Sequence, residues 1–487
     1  MKIFNITKPI AILATGLLIL TSCENFLDVE PNSQVKGDEL LSNESGFKEA
    51  LAGVYISMIS ESTYAKELRF GMMGVMASEW DYYPSASYQD AVAFKYDQAI
   101  PKGMIDRIWR NMYNSIANVN NIIAQIDAQK NTFTNDNYNI IKGEAYGLRA
   151  LLHFDLLRCF GVSYAVDSTK AAIPYCTALI TGTFPQLKVN EVMAKVHEDL
   201  AIAEACLEND PIKTGEIIDE SMDNGYLINR QTHFNYYAVK ALQARAYLWA
   251  GNYEMANQCA RVVTGSQAFS WTTQENLQNG VDNSFASEHI FALNHEKLSN
   301  LADSYFNPEY LTSAFHSEEA TIDALYGDLR SDDYRYTYNF EAGTGAYTSR
   351  RYTKKYGTPQ DNPNSTDDNV TNMYYANKMP IMRLSEMYFI IAECEYQKQS
   401  FFTIDAINEV RKARGAKILT TDPADFYSVL IEEYKKEFLS EGIMFFLYKR
   451  LNQEYLPNNP ESLHVTKGYT FPIPDSEKEA AIREENR

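Results

Sequence analysis

Side chains able to bind a sugar are concentrated in one short segment, Glu79-Trp80-Asp81-Tyr82-Tyr83, with Tyr88 close behind. A sugar ring has an apolar face that stacks on aromatic rings, while its hydroxyl groups hydrogen-bond to carboxylates and amides. The segment supplies both kinds of contact and therefore predicts a ligand-binding surface. The alternative is that Trp80 and Tyr83 fill the junction between helices.

A second aromatic group is a secondary candidate for the same chemistry. Its members are Trp271, Tyr305, Phe306 and Tyr310. Eleven of the 34 tyrosines fall between Leu301 and Pro380, a stretch with little helical periodicity. Large amphipathic rings in such a stretch either pack long loops or build a binding face. For this second group, packing is the favoured interpretation.

The sequence lacks the motifs that identify common catalytic sites. Its seven histidines form neither HExxH nor another ligand spacing, and no GxSxG nucleophile motif occurs. A glycosidase needs only two suitably spaced carboxylates. No tryptophan-flanked pair stands out among the 64 acidic residues. We therefore expect a protein that is not an enzyme, with a secreted glycoside hydrolase as the least favoured alternative.

One segment, Asp219–Gly225, superficially resembles a calcium-binding loop. Its glycine comes one position late, and Arg230 stands at the twelfth position, where a bidentate glutamate is required. We therefore predict no metal site and no cofactor. A structural calcium ion bound elsewhere is not indicated but stays open.

The N-terminal residues predict export and a lipid anchor. Two lysines precede an uncharged apolar run, Ile10–Leu20, which ends shortly before Cys23. These are the parts of a secretory signal peptide over residues 1–22, and eleven helical residues rise only about 16 Å, too little to span a bilayer. A cysteine at the cleavage point looks like a bacterial lipobox, so we expect lipidation of Cys23. The alternative is an ordinary signal peptide with an incidental cysteine.

The formal net charge of −20 limits the kinds of partner. A field of this sign repels phosphate backbones and anionic lipid head groups, and the sequence contains no cluster of basic residues to overcome it. Nucleic acid is therefore not an expected partner, and membrane attachment should come through the lipid anchor. Neutral ligands such as carbohydrates are compatible with this charge.

Helical periodicity dominates the chain. In residues 105–126, apolar residues recur three and four positions apart and form a continuous stripe. The same pattern predicts helices over residues 47–60, 143–160, 190–207, 235–250, 253–263, 385–398, 403–413 and 425–441. The predicted fold class is therefore mainly α.

Two segments have the features of tetratricopeptide helix pairs. In residues 246–256, small alanines allow close helix packing and Gly251 permits a tight turn, and residues 392–410 are a weaker copy. No regular 34-residue repeat joins them. We expect a tetratricopeptide-like helix-pair scaffold, an α-α superhelix, mainly over residues 44–60, 105–263 and 380–450.

Long irregular insertions interrupt this scaffold at about residues 64–100 and 264–379. Loops of such length in a compact protein are usually functional, so the insertions are expected to form a second half that faces the ligand. Tyr334–Tyr356 alternates aromatic and polar residues around Gly343-Thr-Gly345, which predicts a β-hairpin.

Seven blocks in order resemble one known family. The most specific reads Gly143-Glu-Ala-Tyr-Gly-Leu-Arg149-Ala and continues through Phe154-Asp-Leu and Arg158-Cys-Phe-Gly161 to Ile173-Pro-Tyr175. The other six begin at Cys23, Trp109, Arg230, Met379, Ile407 and Glu437. Together they resemble the SusD/RagB family of Bacteroidetes outer-membrane lipoproteins. Residues 443–448 depart from the family's more usual Arg-Trp-Phe-Asp-Leu, so local contacts there should differ.

The resemblance implies a single SusD-like unit over residues 23–487, lipid-anchored in the cell outer membrane and exposed at the surface. It also implies a partner, a SusC-like TonB-dependent transporter, to which the protein delivers oligosaccharide or polysaccharide. A peptide-binding member of the family is one alternative. A helical-repeat scaffold that holds partner proteins and binds no small ligand is another.

Overall fold

The computed structural model describes residues 40–214, 222–310, 313–360, 374–399, 403–454, 456 and 468–487. The predicted signal peptide and Cys23 lie outside these residues. Within the described ranges, no helix has the length and apolar character needed to cross a membrane.

The described residues are mainly α-helical. In chain order the helices are α1 (Glu44–Met58), α2 (Met72–Met76), α3 (Ser85–Val92), α4 (Ala99–Ile126), α5 (Asn137–Phe160), α6 (Tyr164–Asp167), α7 (Val189–Cys206), α8 (Pro211–Thr214), α9 (Tyr236–Trp249), α10 (Tyr253–Thr264), α11 (Gln274–Gln278), α12 (Leu298–Phe306), α13 (Glu319–Tyr326), α14 (Tyr334–Tyr338), α15 (Leu384–Gln397), α16 (Thr403–Ala413), α17 (Phe426–Glu437), α18 (Ile443–Arg450) and α19 (Asp475–Ala480). Each long helix predicted from periodicity is confirmed, with ends that differ by a few residues.

The strands form small antiparallel sheets. They are β1 (Ala171–Pro174), β2 (Gln186–Lys188), β3 (His289–Asn294), β4 (Ser317–Glu318), β5 (Phe340–Ala342), β6 (Arg350–Thr353) and β7 (Lys378–Arg383). β1 pairs with β2, β3 pairs with β7, and the third sheet has the order β4-β6-β5.

The long helices pack side by side in one continuous array. Successive helices are spatial neighbours: α1 packs on α4, α4 on α5, α5 on α7, α7 on α9 and α9 on α10. α10 then packs on α15, and α15 packs on α16, although a long segment separates α10 from α15 in the chain. The two predicted helix pairs, α9–α10 and α15–α16, are therefore adjacent, and the helix-pair fold class is confirmed.

Local side-chain chemistry sets the ends of these helices. Asn43, Asn235 and Asn252 stand before α1, α9 and α10, and each side chain accepts a hydrogen bond from the backbone N–H three residues further on. Such caps pair N–H groups that the first helical turn leaves free. Between α9 and α10, Gly251 has φ +74°, a conformation that glycine adopts without steric cost. The turn predicted at Gly251 is confirmed.

The block from Gly143 to Gly161 forms the packing centre of the array. A Cβ atom on Gly143 would lie 2.6 Å from the side chain of Leu207, and one on Gly147 would lie 2.2 Å from the ring of Phe234. Only glycine allows α5 to approach these neighbours so closely. α5 is accordingly buried along most of its length.

A buried cluster of charged side chains joins the irregular half to the helices. Arg414 donates to both carboxylate oxygens of Glu288, at 2.8 and 2.6 Å, and also donates to Glu437. Arg383 donates to Glu437 and Glu441. The remaining members of the cluster are Asp333, Arg335, Lys355 and Glu433. Because each charge has opposite charges beside it, the cluster avoids the cost of an unpaired buried ion.

The predicted hairpin over Tyr334–Tyr356 is corrected in its first half. Tyr334–Tyr338 forms the helix α14, and the two antiparallel strands are the shorter β5 and β6. Asp333 accepts a hydrogen bond from the backbone N–H of Arg335 and forms an ion pair with the guanidinium of Arg335. This cap and the burial of Arg335 favour a helical turn over residues 334–338. The alternation of aromatic and polar residues had predicted a strand there.

The two predicted insertions also contain more helix than expected. The first carries α2 and α3, and the second carries α11, α12 and α14 in addition to α13, which coincides with a short helical period over residues 317–326 of the sequence. Helices of five to nine residues leave little periodic signal in a sequence, because they span only one or two turns.

Candidate ligand-binding face

Long-range pairing holds the loop that carries Tyr82. Tyr82 and His316 exchange two backbone hydrogen bonds, with N···O distances of 3.0 and 3.1 Å. The side chain of Asp81, the residue before Tyr82, accepts a hydrogen bond of 2.8 Å from the backbone N–H of Glu318. The loop is therefore fixed against β4 and the residue that precedes it.

Five side chains from three segments stack into one ladder. The ring of Tyr352 lies 4.8 Å from that of His316, and His316 lies 4.6 Å from Tyr82 at an interplanar angle of 11°. The guanidinium of Arg350 lies 4.8 Å from the Tyr82 ring centroid and 4.2 Å from that of Tyr347. Because alternate residues of a strand share a face, Arg350 and Tyr352 of β6 both reach the ladder.

The stacking ladder runs from the core to the surface. Tyr352 is fully buried, whereas Tyr82 and Tyr347 are 40% and 37% exposed. Its outer end therefore presents aromatic surface to solvent on a support that is anchored in the core. Rigid, exposed aromatic rings of this kind lose little conformational entropy when a ligand binds.

Polar groups surround the outer end of the ladder. A hydrogen bond to Glu318 raises the pKa of Tyr82, and the hydroxyl of Ser349 donates to the same carboxylate at 3.2 Å. Arg350 forms no ion pair with any carboxylate in the described part of the chain. Its N–H groups can therefore donate to a ligand beside the two tyrosine rings. Together these groups match the apolar face and the hydroxyls of a sugar.

Two of the predicted ligand residues, Trp80 and Tyr88, are corrected by their burial. Trp80 is 6% exposed, and its indole N–H donates to the carbonyl of Phe70 at 3.1 Å. Tyr88 is 2% exposed and donates to Glu67. Neither ring offers a face to solvent, so both act in packing in this structure.

The rest of the predicted segment lies at the surface or near it. Tyr82 is exposed as described, Asp81 is partly exposed, and Tyr83 is a partly buried residue that packs against the core. The structure thus separates Asp81 and Tyr82, which border the ladder, from Trp80 and Tyr88, which lie beneath it.

The secondary candidates do not form a single site. Trp271 is partly buried and lies 5.3 Å from the ring of Tyr388 and 5.2 Å from the guanidinium of Arg414. Tyr305 packs on Phe70 and hydrogen-bonds to Lys66 and Glu61. Tyr310 is 44% exposed.

Phe306 joins the aromatic core around Phe70 and Trp80. Its ring lies 4.8 Å from Phe70 and 5.6 Å from Trp80. Phe306 of the second aromatic group and Trp80 of the first are therefore neighbours in one buried cluster, although they are far apart in the sequence. For Trp271, Tyr305 and Phe306, the observed contacts agree with packing.

Four members of the ladder were not predicted as ligand residues from the sequence: His316, Tyr347, Arg350 and Tyr352. Tyr347 and Arg350 do flank the turn of the predicted hairpin, and an aromatic residue near an exposed turn is a usable signal. No local pattern distinguishes His316 from other histidines, because its role depends on a strand pairing with Tyr82.

The lipidation of Cys23 and the expected absence of a metal ion both stay predictions. Cys23 lies outside the described residues, so its lipidation is untested. In the calcium-like segment, the carboxylate of Asp223 is engaged by Lys48 and by Asn137. Across the described ranges, no group of three or more His, Cys, Asp or Glu residues is arranged to hold a metal ion.

The helix array and the exposed ladder describe a helical scaffold protein with an irregular half that carries the ladder. A family profile described as "Starch-binding associating with outer membrane" matches residues 25–248, and the profile of the "SusD family" matches residues 287–484. The two matches together cover most of the chain. The chain belongs to the SusD/RagB family.

Known proteins resemble the chain over nearly its whole length. SusD-like protein P38 of Formosa agariphila is 21% identical, with 93% of each chain covered. A SusD-like carbohydrate binding protein from Bacteroides vulgatus has a similar structure, with a TM-score of 0.70, 20% identity and 90% and 96% of the two chains covered. A laminarin binding SusD-like protein has a TM-score of 0.65 at 17% identity, with 91% and 99% covered. These solved structures share the SusD fold.

Proposed function

We propose that this protein captures oligosaccharide or polysaccharide at the cell surface, without cleaving it, through the exposed end of the stacking ladder. The observation that carries the proposal is the pair of exposed rings, Tyr82 and Tyr347, on either side of Arg350, which forms no ion pair with a described residue. The family and the carbohydrate-binding and laminarin-binding structural neighbours support it.

In this proposal each group has a separate part. A sugar ring stacks on the outer face of Tyr347, since CH groups pack well on aromatic faces, and it contacts the exposed edge of Tyr82, whose two faces are covered by His316 and Arg350. Arg350 donates hydrogen bonds to ring or hydroxyl oxygens, and Glu318 accepts hydrogen bonds from hydroxyl groups. If neighbouring sugar units contact both exposed rings, longer chains should bind more tightly than single sugars.

A glycan array and affinity gels with purified residues 24–487 test the proposal. Laminarin is one polysaccharide in the gels, since a structural neighbour binds it. Tyr347→Ala and Tyr82→Ala should each weaken binding at least about tenfold, because aromatic anchors dominate such sites. Tyr310→Ala removes an equally exposed ring outside the ladder and should leave the affinity unchanged.

Other outcomes would replace the proposal. Binding of peptides and of no glycan would favour the peptide-binding alternative. Binding of neither would favour a scaffold for partner proteins. Release of reducing ends from a bound oligosaccharide would show a hydrolase.

We further propose that Cys23 carries the lipid anchor in the outer membrane and that a TonB-dependent transporter receives the glycan. The lipobox-like segment before Cys23 and a profile that names association with the outer membrane support this. A Cys23→Ser variant should move from the membrane to the soluble fraction. Mild detergent extraction of the unaltered protein should recover a barrel transporter together with it. Recovery of the lipoprotein without any transporter would contradict the partnership.

A further inference from the structure

A cavity of about 520 Å³ lies between α13 and the C-terminal part of α17. The two helices are in contact, and the hydroxyl of Tyr326 at the end of α13 donates a hydrogen bond of 3.3 Å to the carbonyl of Lys436 on α17. Cavities of roughly 300–1,000 Å³ are typical of small-molecule sites. The space is therefore large enough for one small organic ligand.

The cavity is separate from the stacking ladder. Ser317 of β4 lines the cavity, whereas the next residue, Glu318, hydrogen-bonds to Tyr82 of the ladder. Successive residues of a strand point to opposite faces. The described residues that line the cavity include none of the five ladder residues, so a ligand in it would not touch the proposed glycan-binding face.

Most of the cavity wall is apolar. Its aliphatic and aromatic members come from α13, from β5 and from the residues after α17: Ile322, Leu325, Tyr326, Phe340, Leu439 and Met444. Such a wall favours the apolar part of a ligand, because removing apolar surface from water is favourable. The lining also contains Glu79, whose pKa burial raises to about 8, so that this carboxyl is mainly neutral at pH 7.

One acidic and one basic side chain of α17 complete the lining, Glu432 and Lys435. Residues three apart in a helix lie on the same side of it, so both side chains project from the face of α17 that borders the cavity. Their neighbours Glu433 and Lys436 pair with each other at 3.5 Å. Within the described ranges, by contrast, neither Glu432 nor Lys435 forms an ion pair or a hydrogen bond.

Lys435 is the more buried of these two residues. Glu432 is exposed, whereas Lys435 is only partly exposed. Burial lowers the pKa of Lys435, and the charge of Glu432, which acts from beyond ion-pair distance, opposes this change. The ammonium group has therefore lost part of its hydration without gaining an ionic partner, and a carboxylate in the cavity would supply one.

The charges of Glu432 and Lys435 decide the class of ligand. An anion in the cavity would lie beside Glu432 and a cation beside Lys435, so either ion would meet one repulsive charge. An uncharged molecule would displace water from Lys435 and offer no charge in return. A molecule with one positive and one negative group on an apolar body has an attractive partner for each part of the lining.

We propose that the cavity binds one apolar α-amino acid in its zwitterionic form, with the ammonium group against Glu432, the carboxylate against Lys435 and the side chain along the apolar wall. The carboxylate replaces the water lost around Lys435, and the charge-assisted hydrogen bonds fix the orientation of the ligand. This binding is independent of the glycan binding proposed at the ladder.

Phenylalanine and three related probes test the ligand class. Ligand-observed NMR titration of purified residues 24–487 at pH 7 should show saturable binding of L-phenylalanine. N-acetylphenylalanine lacks the ammonium group and phenylalanine amide lacks the carboxylate, so each should bind at least about tenfold more weakly. Glycine has both charges but no apolar side chain, and it should also bind at least about tenfold more weakly.

Two charge variants identify the partners of the ligand. Lys435→Met keeps an aliphatic side chain and should weaken phenylalanine binding at least about tenfold. It should not weaken the binding of phenylalanine amide, which has no carboxylate to lose a partner. By the same reasoning, Glu432→Gln should weaken phenylalanine but not N-acetylphenylalanine. Lys195→Met is the matched control, because Lys195 also stands three residues from a glutamate on a helix, and it should have no effect.

A further variant locates the binding in the cavity. Ala324 is an exposed residue of α13 that lines the space. In Ala324→Trp the indole should occupy the cavity and weaken phenylalanine binding at least about tenfold without disturbing the core. Ala201→Trp, on the exposed side of α7, is the matched control and should have no effect.

The proposal is overturned if phenylalanine shows no saturable binding or if either derivative binds as tightly as phenylalanine. It is also overturned if Lys435→Met or Ala324→Trp leaves the affinity for phenylalanine unchanged. Tyr347→Ala should leave phenylalanine binding intact, and Lys435→Met should leave glycan binding intact. Failure of this site and failure of the glycan site are therefore separable on the same protein samples.

Discussion

The imidazole of His316 lies parallel to the ring of Tyr82, with centroids 4.6 Å apart and 11° between their planes. The two residues also exchange two backbone hydrogen bonds. A residue of the first irregular insertion and a residue of the second thus form one unit, in which buried His316 supports exposed Tyr82. The orientation of Tyr82, and with it the candidate ligand face, depends on this contact.

His316→Ala should weaken glycan binding about tenfold, because Tyr82 loses the ring on which it stacks. His316→Phe keeps a ring at this place and should retain most of the affinity. Affinity gels with a bound polysaccharide compare the two variants. Equal losses in both would mean that the imidazole itself, and not its stacking, supports the site.

Trp80 should matter for stability and not for ligand binding. Trp80→Ala leaves a cavity beside Phe306 and Phe315 and should cost about 3–5 kcal/mol in the free energy of unfolding. Trp80→Phe should cost less and leave glycan affinity unchanged. Urea denaturation and affinity gels measure the two effects separately. A Trp80→Phe variant that is stable but no longer binds glycan would show that Trp80 does contact the ligand.

The buried pair of Arg414 and Glu288 should be a major determinant of stability. Arg414→Met removes the bidentate partner of Glu288 and one partner of Glu437, leaving Glu288 only a 3.5 Å contact with Arg383, and should cost about 3–5 kcal/mol in the free energy of unfolding. Glu198→Ala removes an exposed partner of Lys195 and should cost less than about 1 kcal/mol. Urea denaturation compares the two variants, and similar small effects would contradict the role assigned to the buried pair.

Glu144 should contribute to the loss of stability in acid. Burial alone would raise the pKa of this carboxyl, but the charge of Arg230 and the hydrogen bonds from His233 and Tyr55 outweigh it and hold the pKa at about 2. A depressed pKa stabilises the folded state above the ordinary value of 4.5. That contribution, roughly 3 kcal/mol, is lost as the pH falls toward 2.

The Glu144→Gln variant tests this linkage. It should be less stable than the natural protein at pH 7, and its stability should fall less between pH 7 and pH 3. Urea denaturation at both pH values provides the comparison. Parallel losses in the two proteins would assign the acid sensitivity to other groups.

Local patterns in the sequence were sufficient for the long helices. The apolar stripe of α4 and the turn at Gly251 both appear as predicted, because helical periodicity and a left-handed glycine are properties of a few neighbouring residues. The same patterns could not show that α10 packs directly on α15. That contact depends on how the long intervening segment folds.

The candidate site was only partly predictable. The acidic and aromatic segment near Trp80 was identified, but Trp80 itself is buried while Tyr82 is exposed. Residue type does not separate these outcomes, since both rings combine apolar surface with a hydrogen-bonding group. Burial is decided by the partners, and for Trp80 these are Phe306 and Phe315 from the other half of the chain.

The amino-acid sequence by itself therefore determined the helical scaffold and the family resemblance, and it singled out the segment that contributes Tyr82 to the candidate ligand face. Only the tertiary structure decided which rings form that face. Tyr82, His316 and Arg350 come from three segments that meet through strand pairing. The free energy of such long-range pairing arises from contacts between distant residues, and it leaves no periodic trace in any one of the segments.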